Sequence, residues 1–574
     1  MNSVQTRLLG FALALVATVS LAQQTQAPKP AVAPKPKPAA ATTPTPSGEQ
    51  VDGSFRKVII DADEQADGVW QDTVKDPMEL AVAADGRVFY AQRDGTIKMW
   101  TPATKKTVVV AKIKVFDGLE DGMLGITLDP NFTKNGWVYL NHSLPDTTKA
   151  ADGSKAGVIR VSRYTLTGDK LDLGSEKAVL DIPTQRNECC HVGGSLGFDN
   201  AGNLYVAIGD NTNPFDSDGF SPHDQRPGRS AWDSQKSSAN MNDLRGGISR
   251  IHPEPDGTYT IPKGNLFPPG TPGTRPEVYV KGTRNGYRLS VDQKNGILYW
   301  GDVGPDAGGL DPKRGPGGFD AVMQAKKPGF FGWPYSRGDN KPYAKIDFTA
   351  RVEYRKEKAA YDKEKAAHDQ AMSAYKKAKE AYDKLVKEAK AKNEPQPAEP
   401  APVAPPAFAL TAPVLPATPL DPAHPVNHSP NNTGIKELPP TQPAFIWYPN
   451  GASVRFPVVN GGGGRTAMAG PVYYFDPNNK SATKLPKEFD HTLFIYEWSR
   501  NWVIAVHLDE NDNIAKNADG SLRMERIGKN MTFKRPMDME LGPDGCLYLI
   551  EYGTAWGNNK DTQIVRLEYT GGPN

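Results

Sequence analysis

The chain has 574 residues and a formal net charge of +2, with 68 Lys and Arg against 66 Asp and Glu. Both signs are interspersed, which gives no footing for nucleic acid or an anionic membrane as partner. With 55 Gly, 51 Pro and 10 Trp the composition is loop-rich and β-rich, and 3 Cys cannot build a disulfide framework.

At the N-terminus, Arg7, the apolar run Leu8–Leu15 and the ending Ser20-Leu21-Ala22 have the parts of a secretory signal peptide. The run is too short to span a bilayer, and no Cys follows it for lipid attachment. Residues 1–22 therefore predict an exported protein, periplasmic or secreted. Residues 23–50 are rich in Pro, Ala, Lys and Thr, with almost nothing bulky to bury, and predict an extended linker.

A hairpin grammar then repeats. Ala84-Asp85-Gly86-Arg87-Val88 opens an alternating apolar strand, and the same pattern returns at Asp199 to Val206, Asp292 to Trp300 and Pro543 to Leu549. Asp129 to Tyr139 is a looser copy. Asp/Asn-Gly turns between apolar strands are strong hairpin signals. Recurrence along a Gly-rich chain favours a β-propeller over a β-sandwich, with the loops of one rim converging on a ligand. The propeller is expected in two parts, residues 51–350 and 441–574. Between them, residues 351–393 carry Tyr354, Tyr361, His368, Tyr375 and Tyr382 at seven-residue intervals without Gly or Pro, which predicts a long helix with one stripe. The Pro-rich stretch to about Pro440 cannot continue that helix. This insertion is either a docking arm for a protein partner or a solvated spacer.

Residues able to do chemistry lie in the loops. His191, after Cys189-Cys190, precedes one repeat strand and Asp210 follows it, so the pair can meet at one rim as imidazole and orienting carboxylate. A buried structural His is the alternative. Arg284-Asn285-Gly286 offers a charged fork and an amide for carboxylates or a developing oxyanion. Gly304-Pro305-Asp306 can present carbonyls to a hard cation or be an ordinary turn. Asp210, Asn213, Asp216 and Asp218-Gly219 form an oxygen-rich loop, read evenly as a solvated turn or a calcium site without the twelve-residue EF-hand spacing.

In their order these pieces resemble the soluble glucose and sorbosone dehydrogenases. Glu120-Asp121-Gly122-Met123-Leu124-Gly125 with Asp129-Pro130-Asn131-Phe132 is similar to the family's early signature. His191-Val192-Gly193-Gly194, Arg284-Asn285-Gly286, Gly304-Pro305 and Gly329 to Pro334 follow, and Arg535-Pro536-Met537-Asp538 with Pro543-Asp544-Gly545 resembles the closing blade. The resemblance covers about Asp76 to Tyr335 and resumes from near Phe445 to Leu567. It implies an all-β, six-bladed β-propeller, here carrying an inserted helical arm and Pro-rich segment. It also implies pyrroloquinoline quinone (PQQ) and calcium as cofactors and a sugar as substrate. His191 would be the general base, oriented by Asp210. Arg284 and Asn285 would stabilise the quinone oxygen that gains charge, and the carbonyls of Gly304 and Pro305 would hold Ca²⁺. Arg535, with Arg465, Thr466 and Arg500, would contact the cofactor carboxylates, and Glu120 stands where some members use Gln.

The chain departs from the family at Cys190, where glucose-oxidising members have an acidic residue. Cys189-Cys190 is either a vicinal disulfide or two thiols. Asp320-Ala321 replaces an Asp-Glu pair, and Phe533 a cofactor-binding Arg. The leading reading is an exported PQQ-dependent sugar dehydrogenase. With no Cys-x-x-Cys-His haem motif in the chain, its electrons must go to an external acceptor. The alternatives are a non-catalytic propeller that binds glycans or proteins, and a calcium-dependent hydrolase, which would need acidic side chains converging on a central metal.

Overall fold

The Asp/Asn-Gly turns define one recurring joint. In the structure, a computed structural model, Val82 pairs with Val88, Phe198 with Leu204, Val291 with Leu298 and Leu541 with Leu547. Each pair closes a hairpin between the first and second strands of a sheet. The looser copy does the same at Leu128 and Val138. Residues 50–571 are described, apart from 67–68, 72, 150–152, 399–406, 409–410, 462–463 and 558. The expected signal peptide, and all but the last residue of the expected linker, lie outside the described residues.

Six sheets of four or more strands form the blades of a propeller. Their first strands are Pro77–Val82, Met123–Leu128, Gly193–Phe198, Gly286–Val291, Ala467–Tyr473 and Pro536–Leu541, defining blades one to six in chain order. These strands neighbour one another in sequence around the axis, and the sixth returns to the first. Blade six is completed by the start of the chain, where Phe55–Ala62 pairs with Gln563–Tyr569 and fastens the ring. Each blade buries one face against the next, so the core is a continuous belt of Val, Ile, Leu, Tyr and Trp side chains.

Arg288 plugs the axis and is fully buried. Its Nε donates to Met537 O at 3.1 Å and lies 3.8 Å from Asp538 Oδ1, while its Nη1 donates to Tyr287 O at 2.9 Å. Burial lifts the Glu79 carboxyl to about 8 against the pull of Arg288 and the hydrogen bond from Ser195. Arg288→Met should therefore leave Asp538 facing an apolar neighbour and lower stability by about 3 kcal/mol, read as a lower urea midpoint with unchanged slope.

The insertion is nested inside blade four. That blade's third strand, Phe319–Ala325, pairs with Ile446–Pro449 from beyond it, which is why the family resemblance lapses and resumes. The expected helix spans Ala350–Lys392, and Asn393 ends it in the left-handed conformation before Pro395. Two residues of its stripe, Tyr361 and His368, pack on Phe408 of the returning segment, with ring centroids 5.7 and 4.9 Å away. The chain itself thus covers that part of the stripe. Beyond this, the return segment joins the body of the protein. Buried Asn427 donates through Nδ2 to Gln235 O at 2.8 Å and Ala239 O at 2.9 Å. Among the described residues, no helix is long and apolar enough to cross a membrane.

Candidate active site

One rule of the fold gathers the candidate residues. Glu120, His191, Arg284-Asn285, Arg465-Thr466 and Arg535 each lie within three residues before the first strand of blades two to six. Asp210, Gly304-Pro305 and Arg500 follow second strands, which end at the same rim. Residues far apart in sequence are thereby brought to one mouth of the propeller.

At its centre His191 Nδ1 lies 2.7 Å from Asp210 Oδ1, with both side chains buried. Asp210 is fully enclosed, and burial alone would raise its carboxyl. His191 and the hydrogen bonds from Ser234 and Trp333 outweigh this and hold it below the usual carboxylate value. Ser234 Oγ donates to its Oδ2 at 2.7 Å, Trp333 Nε1 to Oδ2 at 2.8 Å, and Thr212 N to Oδ1 at 3.0 Å. An ionised carboxylate only accepts, so the imidazole hydrogen sits on Nδ1 and the Nε2 lone pair is left free as a base. Among the described residues, Nε2 has no hydrogen-bond partner. The ring is aimed by a backbone in the left-handed region, φ 63°, while Glu120 Oε2 accepts from His191 N at 2.6 Å. Position 209 must be Gly, because a Cβ there would lie 2.4 Å from His191 O and 3.0 Å from Asn285 Oδ1.

Arg284 and Asn285 form the neighbouring wall. Asp302 Oδ1 accepts from both backbone amides, at 3.2 and 2.9 Å, and Arg337 Nη1 donates to Asp302 Oδ2 at 2.6 Å. Asp210 N donates to Arg284 O at 2.8 Å, joining this wall to the His–Asp pair. Among the described residues, the buried Arg284 Nε and Asn285 Oδ1 have no partner. The unmatched Arg284 Nε, beside a fork that donates to Val303 O at 3.1 Å, fits an oxygen-rich anionic ligand such as PQQ, whereas Asn285 Oδ1 would take a hydroxyl or N–H donor. Arg535 also fits that role. Its guanidinium lies over Trp498 at 4.2 Å and Trp556 at 5.8 Å, and its one side-chain hydrogen bond is a long one, Nε to Thr554 O at 3.4 Å.

Other expected contacts are engaged elsewhere. Arg500 is buried and donates to Gly464 O, Val459 O, Pro449 O and Asn450 O at 2.7–3.3 Å, so it holds the loop before blade five instead of reaching a ligand. Thr466 Oγ1 donates to Arg465 O at 2.6 Å and lies 2.8 Å from Ser499 Oγ. Arg465 turns towards the expected calcium loop, where its Nη2 donates to Pro305 O at 2.8 Å. Of the two carbonyls expected to hold Ca²⁺, Pro305 O is thus engaged by a guanidinium, and no catalytic step is assigned to calcium. The oxygen-rich loop after Asp210 gathers no calcium shell either. Asp218 is bound by Arg314, Arg351 and Arg355; although burial opposes it, these cations bring its carboxyl down to about 2. Asp216 pairs with Arg229, and Asn213 donates to Glu188 Oε2 at 2.6 Å.

Sequence reasoning missed Ser234, Trp333 and Asp302 as positioning residues. Ser234 opens a single 3-10 turn, Ser234–Lys236, and Trp333 sits in a turn, so no periodicity marks which side chain turns inward. Cys189 and Cys190 are joined as a disulfide directly before His191.

The family model described as Glucose / Sorbosone dehydrogenase matches residues 74–385. Aldose sugar dehydrogenase YliI of Escherichia coli K12 is 23% identical over 293 residues, 50% of this chain and 67% of that protein. Human Hedgehog-interacting protein is 25% identical over 237 residues, 38% of this chain, and the match spans only 31% of that relative's length. Among solved structures, the apo-form soluble aldose sugar dehydrogenase of Escherichia coli shares the fold. Its TM-score is 0.50 at 16% identity, over 91% of this chain and 100% of that one. With more than half its length matched by the family model, the chain belongs to the glucose/sorbosone dehydrogenase family.

Proposed function

We propose that the protein is a PQQ-dependent dehydrogenase that oxidises a hydroxyl of a sugar or sugar derivative and passes the electrons to an external acceptor. The observation that carries this is the buried His191–Asp210 pair, with its free Nε2, beside the unmatched polar atoms of Arg284 and Asn285. PQQ, when bound, supplies the two-electron acceptor for the hydrogen leaving the sugar carbon. His191 Nε2 takes the hydroxyl proton, Asp210 holds the imidazole and stabilises the cation that forms, and Arg284 offers positive charge where an oxygen becomes anionic. The N-terminal signal and the adjacent-cysteine disulfide support a periplasmic or secreted location, since disulfides persist in oxidising compartments.

The test is to add PQQ to the purified protein and follow dye reduction against a panel of aldoses and sugar derivatives. Turnover that requires PQQ establishes the reading. A folded protein that captures no PQQ overturns it in favour of a binding propeller, the role that the name Hedgehog-interacting protein suggests for one relative. Arg284→Ala should weaken PQQ capture about 10- to 100-fold, the worth of charge-assisted hydrogen bonds, measured by fluorescence titration. Unchanged affinity would remove Arg284 from the cofactor wall.

A further inference from the structure

We infer that Arg465 stands in for the divalent cation at the Gly304-Pro305 loop, so that cofactor capture by this protein is independent of calcium. The inference deepens the proposed function and rests on its placement of the cofactor at this rim. It begins with the partners of the loop. Pro305 O, one of the two carbonyls expected to turn to a metal, accepts from Arg465 Nη2 at 2.8 Å, and the adjacent Val303 O accepts from Arg284 Nη1 at 3.1 Å, so guanidinium groups already face the loop. Asp320, a buried carboxylate beside the loop, is also committed. Its Oδ1 accepts from Gly304 N at 3.0 Å and lies 3.2 Å from Arg465 Nη1, and its Oδ2 accepts from Ala467 N at 2.9 Å. Arg465 Nε donates to Asn450 Oδ1, and the side chain is only 4% exposed.

The space is closed as well as the charge satisfied. A Cβ on Gly318 would fall 1.8 Å from Pro305 O and 2.5 Å from Arg465 Nη2, so the backbone here packs directly on the carbonyl and its guanidinium. The neighbouring buried atoms without partners point the same way. Arg284 Nε and Tyr343 Oη both lack an acceptor. Burial raises the Tyr343 hydroxyl, and the charges of Arg337, Arg284 and Arg465 act on it in the opposite sense, which places this phenol among three guanidinium groups. A region rich in unmet donors receives an anionic oxygen, and a dication there would be repelled by two fixed positive charges at close range. The planar Arg465 guanidinium is held by hydrogen bonds from Nε and Nη2 and by the ion pair with Asp320, so it supplies positive charge here without metal loading.

The experiment is thermal unfolding of the protein in EGTA and in millimolar CaCl2, without PQQ, for the wild type, Arg465→Gln and Arg465→Lys. The wild type and the Lys variant should melt at the same temperature in both solutions. Arg465→Gln, which frees the carboxylate while keeping hydrogen-bonding ability, should melt at least about 2 °C higher with calcium. A wild type stabilised by calcium as much as the Gln variant, or a Gln variant that does not respond, overturns the inference. Should the Gln variant fail to fold, calcium stabilisation of the wild type alone would still overturn it, and its absence would uphold it. Failure of PQQ to bind under either condition would defeat the proposed function and leave the melting result intact.

Discussion

His191→Asn should reduce kcat by about 10²- to 10⁴-fold, the usual contribution of a positioned general base. Asn suits this test better than Ala for two reasons. His191 has φ 63°, a conformation Asn tolerates far better than most residues, so the backbone that aims the site is kept. The Asn amide can also take over the donation that Nδ1 makes to Asp210 Oδ1 at 2.7 Å, so the buried carboxylate is not left uncompensated. What the substitution removes is Nε2, the one nitrogen with no structural duty. PQQ affinity, from fluorescence titration, and the urea midpoint should both stay close to wild type. A folded His191→Asn protein that turns over at the wild-type rate would exclude His191 as the base. The chemistry would then have to be sought elsewhere on the rim.

The propeller was legible because its repeat is written in local chemistry. Gly86, Gly202, Gly296 and Gly545 all take positive φ at the same joint, and each sits between alternating apolar strands. Blade five was hidden from that reading. Its first two strands, Ala467–Tyr473 and Thr492–Glu497, are joined by a long connection rather than a tight turn, so no local signal marks the hairpin. The His191–Asp210 pairing was legible for a related reason: flanking the two strands of one hairpin brings two residues to the same end whatever the rest of the chain does. The destination of each arginine was not. Arg465, Arg500 and Arg535 look alike as sequence, and the burial of loop carbonyls, a tertiary property, decides which is spent indoors. Arg500 satisfies carbonyls of the loops before blade five, Arg465 satisfies Pro305, and only Arg535 keeps most of its fork unspent. The same applies to Asp218. Its loop reads as a cation site in sequence, but Arg351 and Arg355 at the root of the inserted helix reach it across more than a hundred residues.

Asp210→Asn should cost about 10³-fold in kcat with little change in KM, because it corrupts the proton inventory without removing a contact to substrate. The wild-type carboxylate accepts from four donors: His191 Nδ1, Thr212 N, Ser234 Oγ and Trp333 Nε1. An amide has one oxygen and one NH2 group to meet them. If the amide oxygen faces His191 and Thr212, the NH2 group points at Ser234, whose hydroxyl can rotate to accept, and at the Trp333 N–H, which cannot. If the amide turns over, its NH2 group meets the Thr212 N–H and His191 Nδ1. The imidazole must then carry its hydrogen on Nε2, where the base is needed. The first arrangement leaves a buried donor unmet, at a cost of about 1–3 kcal/mol in stability. The second leaves the buried Thr212 N–H unmet at a similar cost and also removes the base. Both arrangements lower the urea midpoint; the first loses the charge that stabilises the imidazolium, and the second also loses the base, so both lower turnover. Ser234→Ala is the companion variant. It removes one acceptor-facing hydroxyl and leaves the carboxylate ionised, so it should cost less than about tenfold in kcat while the Asp210→Asn loss persists. Equal losses in the two variants would mean that the network as a whole, rather than the tautomer it imposes on His191, sets the rate.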